Sequence, residues 1–109
     1  MSVVVALVGD LMDRSRFGAL GAQSVDVRFV GTAEQLDEQL QGLTPPVTVV
    51  VDLARPDALD GIAAGHRQAA RVLAYGSHVD RDRLDAAHAA GAEVLARSAF
   101  FSRLPDLLT

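Results

Sequence analysis

The sequence predicts an α/β fold: a five-stranded parallel sheet in the order 2-1-3-4-5, with helices on both faces. Three observations lead there. Runs of strand character alternate with runs of helical character five times along the chain. The connections are short, so successive strands run parallel and are joined by right-handed crossovers that put helices on both faces. Five such units fit within 109 residues, a length suited to one domain and one core.

Each element has its own reason. "SVVVALV" (Ser2 to Val8) is a continuous, largely β-branched run, as a strand buried on both faces should be. "GDLMDRSRFGALGA" then sets Leu11, Met12, Phe17 and Leu20 at roughly helical spacing. "VDVRFV" (Val25 to Val30) alternates Val, Val and Phe with Asp and Arg, a half-exposed strand. "GTAEQLDEQLQG" opens with Thr32 and Gln35 at the spacing of a capping box, carries Leu36 and Leu40 as its inward stripe, and stops at Gly42. "VTVVVDL" (Val47 to Leu53) is the most strand-like stretch in the chain. A helix over about 58–69 follows, weakened by Gly61 and Gly65 at ~1 kcal/mol each relative to alanine. "RVLAY" (Arg71 to Tyr75) is the fourth strand, "DRDRLDAAHAAG" a helix with early acids and Gly91 as its stop, and "EVLA" a short fifth strand. "SAFFSRLPDLL" is a last helix, with Ser98 as the expected N-cap and Pro105 disturbing it.

At this size the pattern leaves little choice beyond a flavodoxin-like sheet, whose strand order opens a ligand crevice at the carboxyl ends of strands 1 and 3. Asp10 follows strand 1 and Asp52 ends strand 3, so both carboxylates are expected at that crevice, within reach of a common ion. Three roles are open for Asp52: loop hydrogen bonding or capping, metal ligation, and phosphate acceptance.

Composition narrows the function. Half the residues are apolar and 22% are charged, as in a globular chain. No run approaches the ~18 apolar residues of a membrane span. The opening "MSVVVALVGD" lacks the basic flank and cleavage site of a signal peptide, so a cytoplasmic protein is expected. Without cysteine there is no disulfide framework, thiolate metal site or cysteine nucleophile. All ten basic residues are arginine, they are scattered, and the net charge is −4, which argues against a nucleic-acid surface. The chain reads as one domain over 1–109 with no output domain.

The sequence resembles a receiver domain of bacterial response regulators over nearly its whole length. Asp52 ends strand 3 where the family carries its phosphoacceptor aspartate. Leu53 and Pro56 match the residues one and four positions later, and Asp60-Gly61 resembles the acid-glycine pair that follows, displaced by one. "GAEVLARSAF" resembles the Gly-Ala approach to strand 5 and the aromatic after it. The resemblance implies phosphoryl transfer onto an aspartate, with Mg2+ held by two acids after strand 1 and by the acceptor. It also implies a lysine at the end of strand 5 and a Ser or Thr after strand 4.

The chain departs from that pattern at three places. Gly9 replaces the first acid and leaves Asp10; Gly76 takes the hydroxyl position, with Ser77 next to it; and the lysine is missing. Ungapped counting puts Ser98 at the lysine position, while one deletion puts Arg97 there; Arg97 is favoured because it can still pair with an anion. These departures resemble the atypical receivers, or pseudo-receivers, which act as protein-interaction modules.

The first reading is therefore a stand-alone atypical receiver with a degenerate site: no enzyme, no required cofactor, weak Mg2+ binding at most, and a protein partner such as a histidine kinase or other signalling protein. The second is a phosphorylatable receiver that uses Asp52 with Mg2+, Arg97 and Ser77. The third is a small flavodoxin-like ligand binder or enzyme using Asp10, Asp52 and His78. His78 is one candidate for the crevice mouth, Asp13 either leans over the crevice or faces solvent, with solvent favoured, and His66 and His88 are expected solvated or half-buried on helices. No phosphate-binding loop motif is present. Phe100, Phe101, Leu104, Leu107 and Leu108 exceed one helical face, so Phe100, Phe101 and Leu104 are candidates for a homodimer interface.

Overall fold

The computed structural model describes residues 2–18, 20, 24–68 and 70–108. Five strands, β1 (Ser2–Leu7), β2 (Val25–Val30), β3 (Val47–Asp52), β4 (Arg71–Gly76) and β5 (Glu93–Ala96), form one parallel sheet in the order β2-β1-β3-β4-β5. Among the described residues, the helices that connect or follow them are α1 (Leu11–Arg16), α2 (Ala33–Gln41), α3 (Ala58–Arg67), α4 (Arg81–Ala89), α5 (Arg97–Ser102) and α6 (Leu104–Leu108).

The period-2 alternation of the strands sorts the core into two layers. Val5 and Leu7 of β1, Val49 and Val51 of β3, and Val72 and Ala74 of β4 face the side covered by α2, α3 and α4. Val4 and Ala6, Val50, and Leu73 and Tyr75 face the side covered by Phe17, Phe100, Leu104 and Leu108. Strands buried on both sides read as continuous apolar runs for this reason, and β3 is the central strand, with β1 and β4 on either side of it.

Local chemistry sets the boundaries. The Thr32 hydroxyl accepts the Gln35 N–H at 3.1 Å, and the Gln35 side chain reaches back one residue further than a capping box requires, to the Gly31 N–H at 2.8 Å. Leu36 and Leu40 are buried. Gly61 and Gly65 lie on the buried side of α3, where an added Cβ would stand 2.8 Å from Leu7 Cδ2 and 2.6 Å from Val72 Cγ2. The low helix propensity there permits close packing of α3 on the sheet. Gly91 follows α4 at φ +97°, a left-handed position that favours glycine.

Several expectations need correction. Leu11 and Met12 are 78% and 72% exposed, and α1 buries Asp13 instead. Residues 19 and 21–23 of the segment expected to continue that helix lie outside the described residues, as does Ala69 after α3. Ser98 caps nothing: Ala96 holds the N-cap position of α5 and Ser98 lies one residue inside the helix. The last helical segment is broken at Arg103, just before Leu104-Pro105. Of the residues expected at a homodimer interface, Phe100 and Leu104 are buried against the sheet and Phe101 is half-buried. All five aromatic residues of the chain, Phe17, Phe29, Tyr75, Phe100 and Phe101, form one chain of ring contacts, so the aromatic surplus serves the core.

Candidate functional site

The carboxyl ends of β1, β3, β4 and β5 surround a crevice of about 270 Å³, lined among others by Asp10, Asp13, Asp52, Tyr75, Gly76, Ser77 and Arg97. Sequence reasoning thus assembled Asp10, Asp52, Gly76, Ser77 and Arg97 at one place. Arg97 reaches the crevice, whereas Ser98 borders a separate groove beside Arg16 and Phe101. His78 is exposed and does not line the crevice. His66 and His88 are exposed on α3 and α4.

Each acid already has a partner. Asp10 Oδ1 caps α1, accepting the N–H groups of Met12 at 2.8 Å and Asp13 at 3.1 Å. Asp52 Oδ1 accepts the Ala54 N–H at 3.0 Å and so shapes the turn into α3. Asp80 pairs with Arg83 at 3.2 Å, and Arg83 Nη1 also donates to the Leu53 carbonyl at 3.0 Å.

Asp13, for which the sequence favoured solvent over the crevice, is 2% exposed and lines the crevice. Arg97 Nη1 donates to its Oδ2 at 2.8 Å, Arg97 Nη2 donates to its Oδ1, and the Tyr75 hydroxyl donates to Oδ2 at 3.0 Å. A signal was present: Asp13 precedes Phe17 by four residues and Leu20 by seven, so it shares their stripe. Tyr75 was visible only as a strand residue. Its ring stacks on Phe100 at 4.8 Å, and Phe101 lies 5.3 Å beneath the Arg97 guanidinium.

The lip carries a further cation. Arg55 donates from Nε to Asp57 at 2.9 Å and from Nη2 to the Gly31 carbonyl at 2.6 Å. Its Nη1 lies 2.9 Å from where a Cβ on Gly9 would stand, so a side chain at position 9 would have to displace it. Gly76 is tight as well, with an added Cβ 3.2 Å from Leu53 Cβ. Among the described residues, no three His, Asp or Glu side chains are grouped so as to hold a metal ion.

Burial pushes the Asp52 carboxyl above its ordinary range; the Ala54 N–H opposes this, the Asp13 charge adds to it, and Arg97 and Arg55 oppose it. Burial, followed by the charges of Asp52 and Asp13, pushes the Tyr75 hydroxyl strongly up, which keeps it a neutral donor.

No protein-family model matches this sequence, and no curated protein does. Solved structures do match its fold. A response regulator from Thermotoga maritima superposes with a TM-score of 0.80 at 16% identity, over 98% of this chain and 93% of that one. The receiver domain of TorR, the response regulator of a TMAO respiratory system, gives 0.81 at 15% identity over 99% and 97%. A response regulator from Burkholderia pseudomallei, solved with a phosphorylated aspartic acid, a calcium ion and citrate, gives 0.76 at 18% identity over 99% and 66%. The fold is the flavodoxin-like fold of receiver domains, with its sheet order and its helices on both faces. No described helix is long and apolar enough to cross a membrane.

Proposed function

We propose that this chain is an atypical receiver, a signalling module that works through protein contact, and that Asp52 is a poor phosphoacceptor. The observation that carries this reading is Arg55 lying against Gly9, where a second carboxylate would stand beside Asp10. Phosphoryl transfer to a carboxylate needs a cation between two anions, and Mg2+ demands a near-octahedral oxygen shell. The donor set here fits that ion poorly. Asp10 Oδ1 is committed to the helix cap, Asp13 to Arg97, and a guanidinium stands at the lip. Gly76 also offers no hydroxyl to register a phosphoryl group, and an added Cβ there would stand 3.2 Å from Leu53 Cβ.

Protein contact is supported by the rim. Four of the large exposed hydrophobics, Leu11, Met12, Leu59 and Val79, lie in the segments that follow the carboxyl ends of strands. A histidine kinase or another signalling protein is the class of partner suited to a receiver fold, and the proposed module is neither an enzyme nor dependent on a cofactor. A second reading, phosphorylation at Asp52, draws on Ser77 and Arg97 lining the same crevice. Incubation with acetyl phosphate and Mg2+, followed by intact-mass spectrometry, separates the two. No adduct is expected; stoichiometric addition that disappears in Asp52→Ala would establish the second reading.

A further inference from the structure

We propose that Asp13 is a built-in anion: its carboxylate occupies the Arg97 guanidinium from inside the crevice and excludes small oxyanions of the phosphate or sulfate type. The inference deepens the receiver reading and rests on it, since the receiver resemblance puts Arg97 at the lysine position and Arg97 lines the crevice. Asp13 is 2% exposed, while the Arg97 side chain is 41% exposed, so the acid is fixed beneath and the cation faces outward. Both carboxylate oxygens meet the guanidinium, in the same two-pronged geometry a phosphate or sulfate would use. Asp13 and an incoming oxyanion therefore compete for one edge of Arg97.

The surroundings keep Asp13 in place. The Tyr75 hydroxyl donates to it at 3.0 Å, and that ring is held by stacking on Phe100. Arg97 is braced by the Phe101 ring. Arg83 offers no free alternative, because it is engaged by Asp80 and the Leu53 carbonyl. Asp10 and Asp52 remain beside Arg97 and repel anions, so any site opened by removing the Asp13 charge is of modest affinity.

The test is an NMR titration with inorganic phosphate, and separately with sulfate, without phosphoryl donor or divalent metal. Wild type should show no saturable change. Asp13→Asn, which keeps the shape and an acceptor for Tyr75, should show saturable shifts at the Ser77 amide and the Arg97 side chain. Its midpoint should lie at least about ten-fold below the highest anion concentration at which wild type shows no saturation, as a freed guanidinium allows. The gain should vanish in Asp13→Asn combined with Arg97→Gln. Equal binding by wild type, a folded Asp13→Asn with no gain, or a gain that survives loss of Arg97 would overturn the proposal. Wild type supplies a second test that needs no variant. The Arg97 Nη protons should appear as separate, slowly rotating signals, and a single freely averaged signal would contradict the internal anion. Neither test depends on covalent chemistry at Asp52, so its failure is distinct from failure of the receiver reading.

Discussion

Asp13 and Tyr75 share a hydrogen bond but should respond very differently to truncation. Asp13→Ala leaves a hydroxyl and a guanidinium without their acceptor. Breaking a fully buried pair costs about 3–5 kcal/mol; Arg97 keeps access to water, so about 2–3 kcal/mol is expected by chemical denaturation. Tyr75→Phe loses one hydrogen bond and keeps the stack on Phe100, so about 0.5–1.5 kcal/mol is expected. Asp52 gives a signed pH test. Its folded pKa lies above the unfolded value of ~3.9 because burial disfavours the charge, so its favourable contribution is present below that value and lost as pH rises through the folded midpoint. Asp52→Asn cannot ionise and should be more stable than wild type at neutral pH but not at about pH 3, a difference read from denaturation midpoints at the two pH values. Asp57 has the opposite sign. Its hydrogen bond with Arg55 chiefly holds its pKa down, so its contribution is present above ~3.9 and lost as pH falls through the folded value. At this scale Asp10, Asp52 and Arg97 were legible because strand ends and loop positions fix them. Asp13 was only half legible: its stripe with Phe17 and Leu20 points inward, but an acid there favours solvent until its arginine, 84 residues away, is in view.

The glycines of α3 show how an element trades propensity for packing. Gly65→Ala would gain about 1 kcal/mol of helix propensity, but its methyl would stand 2.6 Å from Val72 Cγ2 on a strand that cannot retreat. Overpacking of that kind costs about 1–3 kcal/mol, so a net loss of stability is expected by thermal melting. Gly42→Ala is the control: φ is −87° and the nearest atom to the new methyl is 3.7 Å away, so the change should stay within about ±0.5 kcal/mol. Element boundaries were legible where the chemistry is local, as at Thr32 and Gly91. The first helix was misread because Leu11 and Met12 suggested a stripe, and nothing local says that they stand on the rim of a crevice. In the last helix, Phe100 and Phe101 join ring contacts drawn from β2, β4 and the segment around Phe17, partners that no local pattern announces.

For the molecule as a whole, strand order followed from alternation and size, while the state of its crevice depends on side chains from four separated segments. Arg55 reaches Gly9, Arg97 reaches Asp13 and Arg83 reaches Leu53, and no sequence pattern announces such pairings. The central claim is that this crevice is a poor site for the Mg2+ that phosphoryl transfer to Asp52 needs. Its most direct test is a Mg2+ titration followed through the backbone amides of residues 9–13, 52–55 and 76–77. The account predicts no saturable shifts up to tens of millimolar, because Mg2+ demands a near-octahedral oxygen shell at about 2.0–2.1 Å and, among the described residues, no three acids are grouped to supply it. Saturable shifts at sub-millimolar Mg2+ that vanish in Asp52→Ala would contradict it.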